Sequence, residues 1–147
     1  MLDGKYNEYN DYDDTEAIIF EFIGGEPFVA IDLISEITEY FVSQLIERNH
    51  HWQNRFRISI CSNGTLYFEE KVQKYIQKYH HMLSFTISID GNKKLHDACR
   101  VFPDGSGSYD VAMAAVNHYR TYYSNKDAIG SKMTISPFNI SYIFEAV

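Results

Sequence analysis

The stretch whose residue types could most directly do chemistry is Gly24-Gly25-Glu26-Pro27, which follows an apolar, β-favouring run at residues 18–23. Two adjacent glycines allow a ligand to approach the backbone closely. Glu26 adds a carboxylate, and Pro27 restricts the chain where the next helix begins. A glycine turn after a strand can also be simple punctuation, so the stretch indicates a ligand site only if other polar turns meet it.

Polar turns follow each of the other predicted strands. Strands are predicted at about 17–23, 56–61, 83–89 and 131–136, from runs of apolar, β-favouring residues that end in turn residues. The turns after the last three strands are residues 62–64, 88–91 and 136–139. Because the carboxyl ends of parallel strands meet at one edge of a sheet, we expect a pocket for a small polar ligand there. Backbone amides, hydroxyls, one carboxylate and Arg100 would hold it.

The elements that position these turns alternate regularly. Amphipathic helices are predicted at about 29–48, 68–79 and 109–123, with another beginning at Asn139. The order β-α-β-α-β-α-β-α predicts an α/β fold of four consecutive β-α units, a parallel sheet and right-handed crossovers. Residues 91–107 are expected to form a long loop, and Ser108 to cap the following helix. The buried helix positions are predicted to be Ile34, Ile37, Phe41, Leu45, Val72, Ile76, Tyr79, Val111, Ala115, Tyr119 and Tyr122.

Length and composition narrow the class of protein. The 147 residues correspond to one domain, and the formal net charge of −7 argues against nucleic acid or an anionic membrane as a partner. Residues 1–16 are expected to be an acidic, tyrosine-rich and poorly ordered leader, and residues 17–147 the folded unit. Two cysteines far apart predict neither a disulfide framework nor a CxxC metal motif, and favour a reducing cytoplasm. The pairs His50-His51 and His80-His81 are interpreted as exposed residues rather than metal ligands.

Several motifs together resemble a known family. The turn Gly24-Gly25-Glu26-Pro27 resembles the GGEP motif of radical S-adenosylmethionine (SAM) enzymes. Further motifs resemble the peptide- and protein-modifying branch, which includes SPASM-type peptide maturases and anaerobic sulfatase-maturing enzymes. They are Ser88-Ile89-Asp90-Gly91, His96-Asp97, Arg100 and Gly105-x-Gly107-Ser108-x-Asp110. The resemblance covers roughly residues 17–147. It implies that the fold corresponds to strands two to five of a partial, six-stranded (β/α) barrel.

The resemblance also implies a set of SAM contacts. The backbone of Gly24 and Gly25, together with Glu26, would hold the SAM ammonium group. Arg100 would pair with the SAM carboxylate, for which a guanidinium is better suited than a lysine. The residues implied to bind SAM are Gly24, Gly25, Glu26, Pro27, Ser62, Asn63, Ser88, Asp90 and Arg100. Simpler interpretations remain open: Ser88 as a strand-end hydroxyl, Asp90 as a turn cap, and Asp97 paired with Arg100.

The sequence departs from this family at one decisive motif. The family binds its [4Fe–4S] cluster through CxxxCxxC, which the 147 residues lack, and Cys61 and Cys99 cannot supply three thiolates. We therefore expect no metal ligands, no catalytic residue and no bound cofactor in this chain. The chain is interpreted as a fragment, inactive by itself, of an enzyme that uses SAM and [4Fe–4S] to generate a 5′-deoxyadenosyl radical. That radical would abstract hydrogen from a peptide or protein substrate.

Two other hypotheses stay open at the level of sequence. A cluster-free protein on the same scaffold could bind SAM or a peptide without chemistry. An unrelated α/β enzyme could use Glu26, Asp90 or His96 as an acid or base. Because a fragment of a barrel has two open sheet edges, we also expect the chain to self-associate through them.

Overall fold

A computed structural model describes residues 17–123, 129–137 and 139–142 of the chain. The strands are β1 (Ile18–Phe22), β2 (Phe56–Ser62), β3 (Leu83–Ser88) and β4 (Ile129–Lys132). The α-helices are α1 (Ile31–Glu47), α2 (Glu70–Tyr79), α3 (Lys93–Cys99) and α4 (Tyr109–Tyr122). Short 3-10 helices occupy Pro27–Ala30, His51–Asn54, His80–Met82 and Ile140–Tyr142. The expected leader at residues 1–16 lies outside the described residues.

The four strands form one parallel sheet in the order β1-β2-β3-β4. This order confirms the predicted α/β fold of consecutive β-α units. When neighbouring parallel strands are joined in sequence by right-handed crossovers, each connecting helix lies on the same face of the sheet. The order is therefore that of a section cut from a barrel wall, and it differs from an open sheet with helices on both faces.

The two faces of the sheet differ sharply in polarity. One face carries the apolar core residues Ile58, Ile60, Phe85 and Ile87, all of which are buried beneath the helices. The opposite face is polar and partly open to solvent. Its side chains include Glu21, Arg57, Ser59, Cys61, Ser84, Thr86 and Ser88. Such alternation is unusual for a parallel sheet covered on both sides, and among the described residues the buried core lies on the apolar face alone.

The helix faces that pack on the sheet are partly those predicted. Helix α1 buries Ile34, Phe41 and Leu45 as expected, but Ile37 is 38% exposed and Thr38 is buried in its place. The Thr38 hydroxyl can occupy the core because it lies 3.0 Å from the buried Tyr75 hydroxyl. The interpretation of Ile37 as a core residue is wrong because the spacing 34, 38, 41 and 45 follows the helix period more closely.

Helix α4 packs through a face that overlaps the predicted one. Ala115 and Tyr119 are buried as predicted, and Ala112 is buried as well, whereas Tyr122 is 69% exposed and Val111 is only half-buried. The small residue Ala112 allows close approach, since a Cβ added at Gly64 would lie 3.2 Å from its Cα. The predictions for Val111 and Tyr122 are therefore wrong, because the contact needed a small side chain at Ala112.

Two predictions of local structure are wrong. Residues 91–107 were expected to be irregular, but they contain α3, which Asn92 caps by accepting a hydrogen bond from the Leu95 N–H at 3.1 Å. Strand β4 begins at Ile129, two residues before the predicted start, and ends at Lys132, before the predicted end. Of the helix expected after Asn139, residues 140–142 form a 3-10 helix, and the rest lies outside the described residues. No helix in the described ranges is both long enough and apolar enough to span a bilayer.

Candidate functional site

The turn after β1 is tied to the turn after β2 through the Glu26 carboxylate. Its Oε1 accepts hydrogen bonds from the Phe28 N–H at 3.1 Å and the Ser62 hydroxyl at 2.8 Å. Its Oε2 accepts a bond from the Asn63 N–H at 2.7 Å. These bonds cap the 3-10 helix at Pro27–Ala30 and hold the two turns together. The structure therefore brings Glu26, Ser62 and Asn63 together at the carboxyl edge of the sheet, as the sequence predicted.

The side chains of Ser62 and Asn63 are engaged within the protein. Ser62 is buried, and its oxygen accepts a bond from the Gly64 N–H at 2.9 Å while donating to Glu26. The Asn63 Oδ1 accepts bonds from the Thr65 N–H at 2.9 Å and the Thr65 hydroxyl at 2.7 Å. In this arrangement the polar oxygens of both residues hold the turn in shape.

The exposed part of this turn is its glycine pair. Gly24 and Gly25 have nothing within 4 Å of an added Cβ, so a ligand can reach their backbone freely. Pro27 is buried at the start of the 3-10 helix. On the polar face nearby, the Ser88 hydroxyl lies 4.0 Å from the Cys61 sulfur, and both side chains are half-buried.

Glu26, Ser62 and Asn63 form a first cluster of polar groups at this edge. A second cluster, after the ends of β3 and β4, consists of Asp90, Arg100 and Thr134. The Arg100 Nε and Nη2 donate to Asp90 Oδ2 and Oδ1 at 2.6 and 3.3 Å, which is a two-point ion pair. Asp90 Oδ1 also accepts from the Thr134 N–H at 2.8 Å, and Arg100 Nη2 donates to the Thr134 hydroxyl at 3.3 Å. The cluster therefore ties the end of β3, the end of α3 and the segment after β4 together.

The two members of this ion pair differ in exposure. The Asp90 side chain is 6% exposed and the Arg100 side chain 26% exposed. Burial opposes ionisation of Asp90, but the hydrogen bonds from Arg100 and the Thr134 N–H outweigh it and hold the pKa of Asp90 below its usual value. Asp90 is therefore an ionised partner that orients the partly exposed Arg100 side chain.

His96 supports the second cluster from inside the protein. It is fully buried, its Nδ1 accepts the Asp90 N–H at 3.2 Å, and its Nε2 lies 3.1 Å from the Ser108 hydroxyl. Burial lowers the pKa of His96, and the Arg100 charge lowers it further. The Ser108 hydroxyl donates to the Arg100 carbonyl at 2.9 Å, and makes no cap bond to α4. Ser108 is therefore the N-cap residue of α4, as predicted, although the side-chain cap bond is made by another residue.

The side-chain cap bond of α4 is made by Asp97. Its Oδ1 accepts the Tyr109 N–H at 2.9 Å, and its Oδ2 binds the Lys93 ammonium at 2.8 Å. These contacts hold the pKa of Asp97 below its usual value. The alternative in which Asp97 pairs with Arg100 is wrong. Gly107 is needed beside this carboxylate, because an added Cβ would lie 2.0 Å from Asp97 Cγ.

The three residues considered as acids or bases are all engaged in hydrogen bonds within the protein. Glu26 accepts three hydrogen bonds, Asp90 is held in an ion pair, and His96 is fully buried with both ring nitrogens engaged. Three of the roughly four acceptor positions of each carboxylate are thus occupied, and a general base needs to reach its substrate proton. The geometry therefore disfavours the hypothesis of an unrelated acid–base enzyme.

The cysteines of this chain do not fit a [4Fe–4S] cluster. The sequence contains two, both are free, and Cys61 is half-buried on β2 whereas Cys99 is exposed on α3. Three thiolates are required by this type of site. Within the described ranges, no group of three His, Cys, Asp or Glu side chains is arranged to hold a metal ion.

Sequence reasoning missed two contributors to the site. Thr134 joins the second cluster through its backbone and hydroxyl, but a threonine after a strand carries no distinctive signal. His96 was considered only as part of a motif or as an acid or base.

A cavity of about 570 Å³ lies apart from both clusters, between α3 and the segment at 137–142.

The comparisons with known proteins point to one family. The cysteine-type anaerobic sulfatase-maturating enzyme of Clostridium novyi (strain NT) is 34% identical over 109 residues, which are 71% of this chain and 27% of that enzyme. No protein-family model matches the chain.

Solved structures share the fold. Native anSMEcpe with bound AdoMet and a peptide superposes with a TM-score of 0.67 at 22% identity, over 87% of this chain and 33% of that one. A tagged form of anSMEcpe with bound AdoMet gives a TM-score of 0.68 at 21% identity, over 90% and 34%. The chain therefore spans about a quarter to a third of the proteins it matches. The resemblance to radical SAM enzymes, and to part of their barrel, is confirmed.

Proposed function

We propose that this chain, a homologue of part of an anaerobic sulfatase-maturating radical SAM enzyme, is the segment that binds the methionine part of SAM. The intact parent would use SAM to modify a peptide or protein. One neighbouring structure is described as holding AdoMet and a peptide together, which supports this class of ligand and substrate. The observation that carries the proposal is the oriented, partly exposed Arg100 guanidinium at the carboxyl edge of the sheet.

The two halves of the SAM methionine group would meet different parts of the edge. Arg100 uses Nε and Nη2 to bind Asp90, and Nη2 also donates to Thr134, so its Nη1 would donate to the SAM carboxylate. The exposed backbone carbonyls of Gly24 and Gly25 would accept bonds from the SAM ammonium, with the Glu26 charge close by. Ser88 would be the nearest hydroxyl on the polar face. Ser62, Asn63 and Asp90 would then position these groups rather than touch SAM.

The cluster chemistry belongs to the intact parent in this proposal. A [4Fe–4S] cluster there would supply the electron for radical chemistry, and its ligands would come from residues outside these 147. The chain alone would accordingly be inactive. We place the protein in a reducing cytoplasm, which the two free cysteines support.

The decisive experiment is titration of SAM into the purified 147-residue chain by calorimetry, without iron. We expect binding that weakens about tenfold in Arg100→Lys, because lysine keeps the charge but cannot donate two parallel hydrogen bonds. Arg120→Ala, which removes an exposed cation from α4, serves as the matched control and should bind as the unmodified chain does. Equal affinities for the unmodified chain and Arg100→Lys would contradict the proposal.

The inactivity of the chain alone can be tested separately. After anaerobic incubation with iron and sulfide, followed by desalting, we expect no [4Fe–4S] absorption and no SAM cleavage in the presence of a reductant. A stable cluster bound by the chain would contradict this part of the proposal and leave the SAM site unaffected.

Self-association through the sheet edges is a further part of the proposal. Strands β1 and β4 each have a neighbour on one side only in the described sheet. Unpaired edge groups are a template for pairing with another chain. Light scattering over a range of concentrations should show dimers or larger species, and a monomer at the highest concentration would contradict this expectation.

A further inference from the structure

His96 makes three contacts within residues 90–108, the segment that carries Arg100. Its Nδ1 accepts the Asp90 N–H at 3.2 Å before α3, and its Nε2 lies 3.1 Å from the Ser108 hydroxyl after α3. Its carbonyl accepts the Arg100 N–H at 2.8 Å. The imidazole therefore connects the two ends of the segment that carries the guanidinium.

The direction of these hydrogen bonds is set by the chemistry of the ring. Because Nδ1 accepts a backbone N–H from Asp90, it cannot also carry a proton. The neutral ring then has its proton on Nε2 and donates it to Ser108 Oγ. The Ser108 hydroxyl in turn donates to the Arg100 carbonyl at 2.9 Å. Each donor and acceptor of the imidazole is used once.

These bonds close a ring around Arg100. The Asp90 N–H donates to His96, His96 donates to the Ser108 hydroxyl, and this hydroxyl donates to the Arg100 carbonyl. The Arg100 Nε then donates to the Asp90 carboxylate at 2.6 Å. Loss of the imidazole would break the ring, and Arg100 would keep its own bonds to Asp90 and Thr134 and the backbone bonds of its N–H and carbonyl. Since His96 is fully buried, it can influence a ligand only through the other members.

We propose that His96 is a positioning residue that fixes the orientation of the Arg100 guanidinium at the carboxyl edge of the sheet. In this orientation Nε and Nη2 bond Asp90 and Nη2 also bonds Thr134, which leaves Nη1 to donate to a carboxylate of a ligand. That this carboxylate belongs to SAM rests on the proposed function. The positioning role itself depends only on the ring of hydrogen bonds.

The ring is expected to respond to pH. Protonation of His96 would place a hydrogen on Nδ1, directly opposite the Asp90 N–H, and one bond of the ring would be lost. The groups that face the imidazole are Asp90 from the end of β3, Lys93, Asp97 and Arg100 from α3, and the Tyr109 ring from α4 at 5.6 Å. Burial is the largest influence and lowers the pKa of His96, so the neutral form prevails near neutral pH.

The first test needs no ligand. In the ¹⁵N-labelled 147-residue chain, the Arg100 Nε–H signal is assigned by its loss in Arg100→Lys, and its exchange with water is measured. We expect His96→Phe to raise the exchange rate at least tenfold, because the ring of hydrogen bonds is opened. His96→Gln should lie between, because its amide can still reach Ser108. Ile58→Val is the control for general destabilisation of the core and should keep the original rate.

An unchanged exchange rate in folded His96→Phe would overturn the proposal. If His96→Phe does not fold, Ser108→Ala replaces it, since this variant removes only the hydroxyl link. An unchanged rate there would equally overturn the proposal. Because burial lowers the pKa of His96, its protonation in the folded chain is expected at a pH below the ordinary histidine pKa of about 6.5. A faster rate in that acidic range, present in the unmodified chain and absent in His96→Phe, would support the proposal.

The second test uses SAM and separates the two proposals. We expect His96→Phe to raise the SAM Kd about tenfold at pH 7.5, with no change in Ile58→Val. If the exchange test succeeds but the unmodified chain does not bind SAM, the proposed function fails and the positioning role stands. If the chain binds SAM and His96→Phe binds equally well, the positioning of Arg100 for SAM is refuted.

Discussion

Gly107→Ala is the substitution whose effect follows most directly from the structure. An added Cβ would lie 2.0 Å from Asp97 Cγ and 2.3 Å from Asp97 Oδ1, which are impossible separations. Gly107 has no positive φ, so backbone strain does not contribute. The Asp97 side chain must therefore rotate away from its position.

The cost of this rotation is the loss of the helix cap. Asp97 would release the Tyr109 N–H at the start of α4, and loss of a helix cap typically costs about 0.5–2 kcal/mol. The contact with the partly exposed Lys93 adds little to this cost. Replacement of glycine by alanine also restricts the unfolded chain, which stabilises the protein by about 0.4–1 kcal/mol. Since the typical cap loss is about 1 kcal/mol, we expect a net loss of about 0.5 kcal/mol.

The two contributions can be separated by a double-mutant cycle, with urea unfolding as the assay. In an Asp97→Ala background the clash is absent, so Gly107→Ala should stabilise the chain by roughly 0.5 kcal/mol. The substitution thus changes sign between the two backgrounds. Gly25→Ala, where nothing lies within 4 Å of the new Cβ, should be nearly neutral in both. Equal and additive losses from Gly107→Ala and Asp97→Ala would refute the reasoning.

Three further predictions concern stability. Tyr75→Phe should lower the free energy of urea unfolding by about 1–3 kcal/mol, because it leaves the buried Thr38 hydroxyl unpaired. The double change Tyr75→Phe and Thr38→Val should cost less than the sum of the two single changes. Burial lowers the pKa of His96, so the unfolded chain binds more protons than the folded chain below about pH 6.5. The free energy of unfolding should therefore fall from pH 7.5 to 5.5. An equal fall in a His96→Phe variant would contradict this. Lys71→Ala should leave the midpoint of urea unfolding unchanged, since Lys71 and Asp32 form an ion pair between exposed side chains that solvent screens. A clear shift of the midpoint would contradict this.

The parallel sheet was predictable because it depends on local signals that recur. Each strand combines apolar, β-favouring residues with a turn immediately after it, and amphipathic helices separate the strands. The motifs around Glu26 and Arg100 were also identifiable from residue types and spacing, and they carried the resemblance to radical SAM enzymes. Local patterns suffice here because the order of elements restricts a parallel sheet to few topologies.

The errors arose where a local signal competed with another or where packing selected the residue. Helix α3 was missed because its seven residues lie in a polar stretch, although the cap at Asn92 was readable in the sequence. Ser108 is the N-cap residue as predicted, but its hydroxyl is used by the Arg100 carbonyl, and Asp97 makes the side-chain cap bond to α4 from a different element.

The sequence by itself determined the alternation of strands and helices, the polar edge and the candidate residues, because these depend on neighbours along the chain. Only the tertiary structure decided which partner each polar group has. Glu26 binds Asn63 across 37 positions, and Arg100 binds Asp90 rather than Asp97. Such choices depend on distances between elements that are far apart in sequence, and hydrogen bonds form only within a few tenths of an ångström of the right separation.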